Sequence, residues 1–176
     1  VLGDMVNSQV AYVSKPQNSY GDPGYTAFVT ANASRKAMVY IGANDGMLHA
    51  FAAKGTAATE ALVEAAAIAN AKVSVDPLNA ALVSAAATAT SAATTAVAAD
   101  TTIGQESWAY IPSMAMPHLF KLADKKYKDK HRYFVDAPPV VADICVSDCT
   151  LATASWKTIL VSGLGHGGRG YFALDI

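Results

Sequence analysis

One short unit occurs twice in this chain. Val39-Tyr40-Ile41-Gly42 and Leu160-Val161-Ser162-Gly163 are each an apolar strand pattern ending on glycine, and Leu48-His49-Ala50-Phe51 and Tyr171-Phe172-Ala173-Leu174 each follow as a second strand pattern with alanine in third place. A strand, a glycine-bearing turn and a strand, repeated, restrict the chain to a fold assembled from similar β-units. In the first copy the turn is Asn44-Asp45-Gly46, a strong hairpin signal, because glycine takes positive φ without steric penalty and Asn and Asp tolerate it. The copies lie about 120 residues apart, which leaves room for further strands between them.

Other strand patterns surround the two copies: Val10–Val13, Tyr25–Val29, Ser107–Ile111, Tyr133–Val135, Val140–Val146 and Trp156–Val161, with a short helix expected near Met116–Ala123. The β-signals break off between Ala57 and Ala99, where close to half the residues are alanine and none is aromatic. Alanine loses no side-chain entropy in a helix, so this stretch predicts a helical hairpin, Thr59–Val73 and Pro77–Ala98, with Asp76 capping the second helix and Pro77 in its first turn. A low-complexity loop is the alternative. Leu62, Ile68, Leu82 and Val97 are sparse, so the helices are expected to pack through alanine. The chain thus divides into strands over 1–56, a helical insertion over 57–101 and strands again over 102–176, a mainly β fold with antiparallel strands. Removing the insertion brings the two copies of the repeat to about 75 residues apart.

The 176 residues are 52% hydrophobic, enough to bury the core of one domain. Thirteen basic against 14 acidic residues leave a formal charge of −1, which gives no field for gathering nucleic acid or an anionic membrane. No uninterrupted apolar run approaches the length of a membrane span. Val1-Leu2-Gly3-Asp4 carries no basic or apolar leader, and Leu174-Asp175-Ile176 stops inside a strand pattern, so both ends are expected to be cut from a longer chain. Cys145 and Cys149 have a spacing that a loop-closing disulfide can meet if the backbone turns back, and such a bond would place the chain in an oxidising compartment; two free thiols near a turn are the other reading.

Signals for chemistry are weak. Gly163-x-Gly165-x-x-Gly168 matches a dinucleotide-binding pattern, but that pattern needs a helix to aim its amides at a pyrophosphate, and here a strand pattern follows, so the glycines are read as a wide hairpin turn. His49, His118, His131 and His166 are scattered, without a zinc-binding motif, and His49 is expected to be a satisfied strand residue. Asp143 and Asp148 flank the cysteines without forming a calcium loop, and no nucleophile motif occurs. The basic run Lys121–Arg132 is diluted by Asp124 and Asp129 and reads as solvated surface. No catalytic, cofactor-binding or metal-ligating residue is assigned.

Met38 to Phe51 closely resembles the GANDGMLHAF signature of PilY1/PilC-type proteins of type IV pili. Trp108–Ser113, His131–Asp136 and Gly163–Asp175 resemble later blocks of that family in the same order, and Leu2–Ser8 resembles its LGDIVHS block. The matching positions include Gly42, Asn44, Asp45, Gly46, His49, Trp108, Asp136, Gly163, Gly165, Gly168, Arg169 and Gly170, read as structural. Departures are Ala52 where Asp is common, Ala137 where Gly is usual, His166 in the glycine loop, and the alanine-rich insertion, which falls before Trp108, where a blade's third strand should begin.

The resemblance implies part of a quinoprotein-like β-propeller, roughly one blade with pieces of its neighbours, and Trp108 and Trp156 as residues wedged within or between blades. It implies no enzymatic activity. It implies secretion through the periplasm to the bacterial surface, outer membrane or pilus tip, with minor pilins, pilus machinery or a surface receptor as partners and roles in assembly, retraction control and adhesion. No cofactor is expected in this stretch, and any calcium belongs to a full-length parent. The competing reading is a blade fragment of a quinone-dependent periplasmic dehydrogenase. Strand edges left open by an incomplete propeller would favour a homo-oligomer.

Overall fold

A computed structural model describes residues 3–151 and 153–176; Leu2 of the LGDIVHS-like block lies outside the described residues. The chain forms two compact units, one of Val1–Phe51 with Glu106–Ile176, the other of Ala52–Gln105.

The first unit holds two antiparallel sheets. One has four strands in the order β1 (Ala11–Val13), β2 (Met38–Gly42), β3 (Leu48–Ala52) and β4 (Glu106–Tyr110), and the other has three, β5 (Val140–Cys145), β6 (Trp156–Gly163) and β7 (Tyr171–Asp175). Spatial order follows chain order in both, so each sheet is a meander. The two copies of the sequence repeat occupy the same places, β2–β3 in one sheet and β6–β7 in the other. Trp108 sits on β4, the fourth strand of its sheet and not the third.

Alternation fixes the inner faces. Leu48 and Ala50 are fully buried, as is Leu160, and together with Val13, Met38, Tyr40, Val135, Leu164 and Phe172 they make one core between the sheets. Trp108 is 38% exposed on the edge strand and touches Tyr40 at 5.6 Å between ring centroids, so it flanks the core and does not wedge into it. Trp156 is half-buried between Tyr20 and Tyr25, its indole N–H donating to Pro23 O at 3.0 Å.

Two expected strands are absent. Tyr25–Val29 belongs to a helix, α1 (Tyr25–Ala31). Gly24, at φ 79°, turns the chain into it, and Thr30 Oγ1 and Asn32 Nδ2 donate back to the carbonyls of Thr26 and Phe28. Five residues are too few for a period to decide between helix and strand. Tyr25 is buried, its hydroxyl donating to Asp143 at 2.7 Å; burial, with the neighbouring carboxylate adding to it, pushes that hydroxyl up to about 12. Tyr133–Val135 is also not a strand. Phe134 N–H donates to Asn44 Oδ1 and Val135 N–H to Ala43 O, while Asp136 N–H donates to Leu164 O, so this buried apolar run bridges the loops of both sheets instead of joining a ladder. The segment Met116–Ala123 forms a 3₁₀-helix.

The second unit is an antiparallel pair of helices, α2 (Ala57–Val75) and α3 (Ala80–Ala99). Ala66, Ala86 and Ala93 are buried where they meet, and Asn70 Nδ2 donates across to Thr90 Oγ1 at 3.0 Å. Alanine allows this close approach, and Leu62, Ile68 and Val97 stay partly exposed. Asn79, not Asp76, caps α3, accepting from the N–H groups of Ala81 and Leu82; Asp76 closes α2, and Pro77 lies in the turn between them. By length and mean hydropathy, 1.3, α3 is apolar enough to cross a membrane, since its Thr and Ser residues only dilute the alanine.

Asp100 fastens the root of this unit. It accepts from Thr102 and Thr59 hydroxyls and from the N–H of Thr56, which hold its carboxyl well below the usual carboxylate range. Beside it, Ala52 N–H donates to Gln105 O and Gly104 N–H to Ala52 O. The two ends of the helical pair are therefore tied together in a closed stem. Replacing residues 54–102 with a short Asn-Gly turn is expected to leave both sheets and a cooperative thermal transition intact, as circular dichroism would show; loss of the strand signal would mean that the sheets need the helices.

Candidate functional site

The family-like residues collect at one end of the sheets, where the β2–β3 turn, the segment Gly3–Ser8, the bridge Tyr133–Ala137 and the β6–β7 loop meet. The β2–β3 turn is a three-residue loop: Gly46 N–H donates to Ala43 O, Ala43 N–H to Met47 O, and Gly46 alone adopts positive φ, 94°. That geometry turns the carboxylate of Asp45 back over the hairpin. It accepts from Gly3 N–H at 2.8 Å and Met47 N–H at 3.1 Å, and lies 3.0 Å from His49 Nε2. The other ring nitrogen of His49 lies 2.7 Å from Glu106 on β4, so this buried histidine has a carboxylate on each side. Asn44, also buried, donates to Asp4 and accepts from Phe134 N–H.

Asp136 is the second node. Its buried carboxylate accepts from Asn7 N–H at 3.2 Å, from Asn7 Nδ2 at 2.8 Å and from His166 Nδ1 at 3.0 Å. Burial pushes this carboxyl up, but the donors from Asn7 and His166 outweigh it and hold Asp136 below the usual carboxylate range. Ser8 completes the join: its hydroxyl donates to Ala137 O and accepts from Gly42 N–H. Two bridged carboxylates, Asp45 and Asp136, thus bind the N-terminal segment to both sheets.

The glycine loop is a hairpin connection. Gly163 ends β6, a single 3₁₀ turn covers Gly165–Gly167, and β7 begins after Gly168, Arg169 and Gly170, so no helix stands ready to receive a phosphate. The turn runs against the bridge segment so closely that a Cβ on Gly167 would strike the backbone of Phe134. Gly42 meets the bridge in the same way at Val135.

The structure brings together Gly42, Asn44, Asp45, Gly46, His49, Asp136, Gly163, Gly165, Gly168 and Gly170 in and around these loops. Trp108 stands apart on β4, and Arg169 is exposed. Cys145 and Cys149 are joined by a disulfide at the end of β5, with their Cα atoms 6.0 Å apart. Among the described residues, no three His, Cys, Asp or Glu side chains come together as a metal-binding group. The sequence reading missed the Asn7–Asp136–His166 node, whose partners are 129 and 30 residues apart, and the grouping of His118, Lys121, Arg132 and His166 around one cavity. No local pattern signals either.

The family model of the PilY1 beta-propeller domain matches residues 2–84 and 95–176. Apart from Val1, the residues outside that match, 85–94, lie inside α3. A type IV pilus biogenesis factor PilY1 homolog of Xylella fastidiosa is 33% identical over 183 residues, covering all of this chain and 10% of the relative. The type IV pilus biogenesis factor PilY1 of Pseudomonas aeruginosa is 30% identical over 184 residues, covering all of this chain and 11% of the relative. The chain therefore spans about a tenth of the length of these relatives. No solved structure matches.

Proposed function

Because the chain belongs to the PilY1 beta-propeller family, we propose that it serves as a non-enzymatic propeller module of a type IV pilus biogenesis factor, acting at the bacterial surface. The observation that carries this reading is the family match along nearly the whole chain, joined to two meander sheets whose hairpins repeat. The disulfide fits the oxidising route such a protein would take. Within this reading the blades are of the quinoprotein type, the partners are pilins or pilus machinery, and the module contributes to assembly, retraction control and adhesion. The names of the relatives give the dehydrogenase alternative no support.

Deleting the gene that encodes this chain is expected to strip cells of most surface pili by electron microscopy, and complementation to restore them. Unchanged piliation in the deletion strain would overturn the reading. Complementation with the version lacking residues 54–102 separates two roles. Restored pili with poor adhesion would make the helical pair a contact device, whereas full restoration of both would exclude it from adhesion.

A further inference from the structure

The loop end of the first unit holds a cavity of about 230 Å³ that the structural roles described above do not use. It is lined by His118, Lys121, Arg132, Tyr133 and His166, with a smaller apolar share from Met114 and the Tyr133 ring, while Phe134 and Leu164 lie almost wholly buried beneath it. Among the described residues, no aspartate or glutamate lines it.

The polar side is organised and electropositive. Lys121 Nζ donates to His118 Nδ1 at 3.4 Å, which places the ammonium beside the imidazole on one wall. His166 is turned by Asp136, which takes its Nδ1, so the opposite edge of the ring is free of that bond; Tyr133 packs 5.4 Å from it between ring centroids. Neither Lys121 nor Arg132 forms an ion pair among the described residues. Two full positive charges without acidic partners among the described residues, two imidazoles, and an apolar side formed by Met114 and the Tyr133 ring make a site for a group that is negative at one end and greasy at the other. A bare inorganic anion would use the cations and leave the apolar side empty.

We propose that this cavity binds a carboxylate carried on an apolar group, either a small free acid or the C-terminus of a peptide. Lys121 and Arg132 neutralise the carboxylate, and Met114 and the Tyr133 ring take the apolar part. The proposal stands on the cavity alone and is independent of the pilus reading.

The test is a titration of the intact chain followed by NMR, with N-acetyl-leucine, N-acetyl-leucinamide, inorganic phosphate and a short peptide ending in leucine as probes. The acid is expected to bind saturably, with a dissociation constant of about 1 mM or tighter, and to shift the resonances of His118 and His166. The amide is expected to bind at least about tenfold more weakly, and Lys121→Gln and Arg132→Gln should each weaken the acid by about tenfold. Both substitutions are at accessible side chains, and unchanged circular dichroism verifies the fold. Tighter binding of the peptide than of the free acid would assign a chain terminus, and exclusion of the peptide a small acid. Equal binding of acid and amide, phosphate as tight as the acid, or an acid affinity unmoved in both variants would overturn the proposal.

Discussion

An Asp136→Ala chain is expected to lose about 2–4 kcal/mol of stability in urea denaturation at neutral pH, because charge-assisted hydrogen bonds are each worth about 1.5–3 kcal/mol and water can replace part of them at Asn7 and His166. Three donors converge on this one carboxylate, and through it the N-terminal segment and the β6–β7 loop are both held. The carboxyl is depressed in the folded chain, relative to an unfolded value of about 3.9. Its contribution is therefore fully present above that value and is lost as pH falls through the lower folded one. The gap between wild type and Asp136→Ala should accordingly narrow in acid. A gap that stays constant between neutral pH and the acid limit of the fold would show that the charge is not what holds the node.

Gly167→Ala should cost a similar amount, about 2–4 kcal/mol, for a different reason. The added carbon would overlap the carbonyl, carbon and Cα of Phe134, all backbone atoms, so the loop must move bodily away from the bridge. That movement would also loosen the bond from Asp136 N–H to Leu164 O. Gly21→Ala is the matched control, since a Cβ there meets nothing, and its effect should stay within about 0.5 kcal/mol. Equal denaturation midpoints for the two variants would remove the argument for a close-packed loop.

Much of the β-architecture was legible because hairpins are local. The repeat of Val39–Phe51 at Leu160–Leu174 matches the paired strands β2–β3 and β6–β7, and Asn44-Asp45-Gly46 marks its own turn. The alanine-rich stretch also announces its helices, although the cap moved from Asp76 to Asn79 because a proline in the turn and an asparagine side chain in reach compete within three residues. Tyr25–Val29 and Tyr133–Val135 misled for one shared reason. Each is a short apolar run, and such a run says that it will be buried without saying what its backbone will bond to. For Tyr133–Val135 the answer lay in carbonyls and an amide about 90 residues away, and for Asp136 in Asn7, 129 residues away. The cavity was hidden more deeply, since His118, Lys121, Arg132 and His166 come from three separate segments, two of them 3₁₀ turns, and the basic run containing two of them is ordinary as a sequence.

The fastening of Gly3–Ser8 also decides how the first unit responds to tension. A pull applied at residue 3 meets, in order along the chain, the Gly3–Asp45 bond, the Asp4 contacts with Asn44 and His131, the Asn7–Asp136 bonds and the Ser8–Ala137 bond. These lie ahead of β1, so the load is taken by a row of side-chain clasps before it reaches any strand ladder.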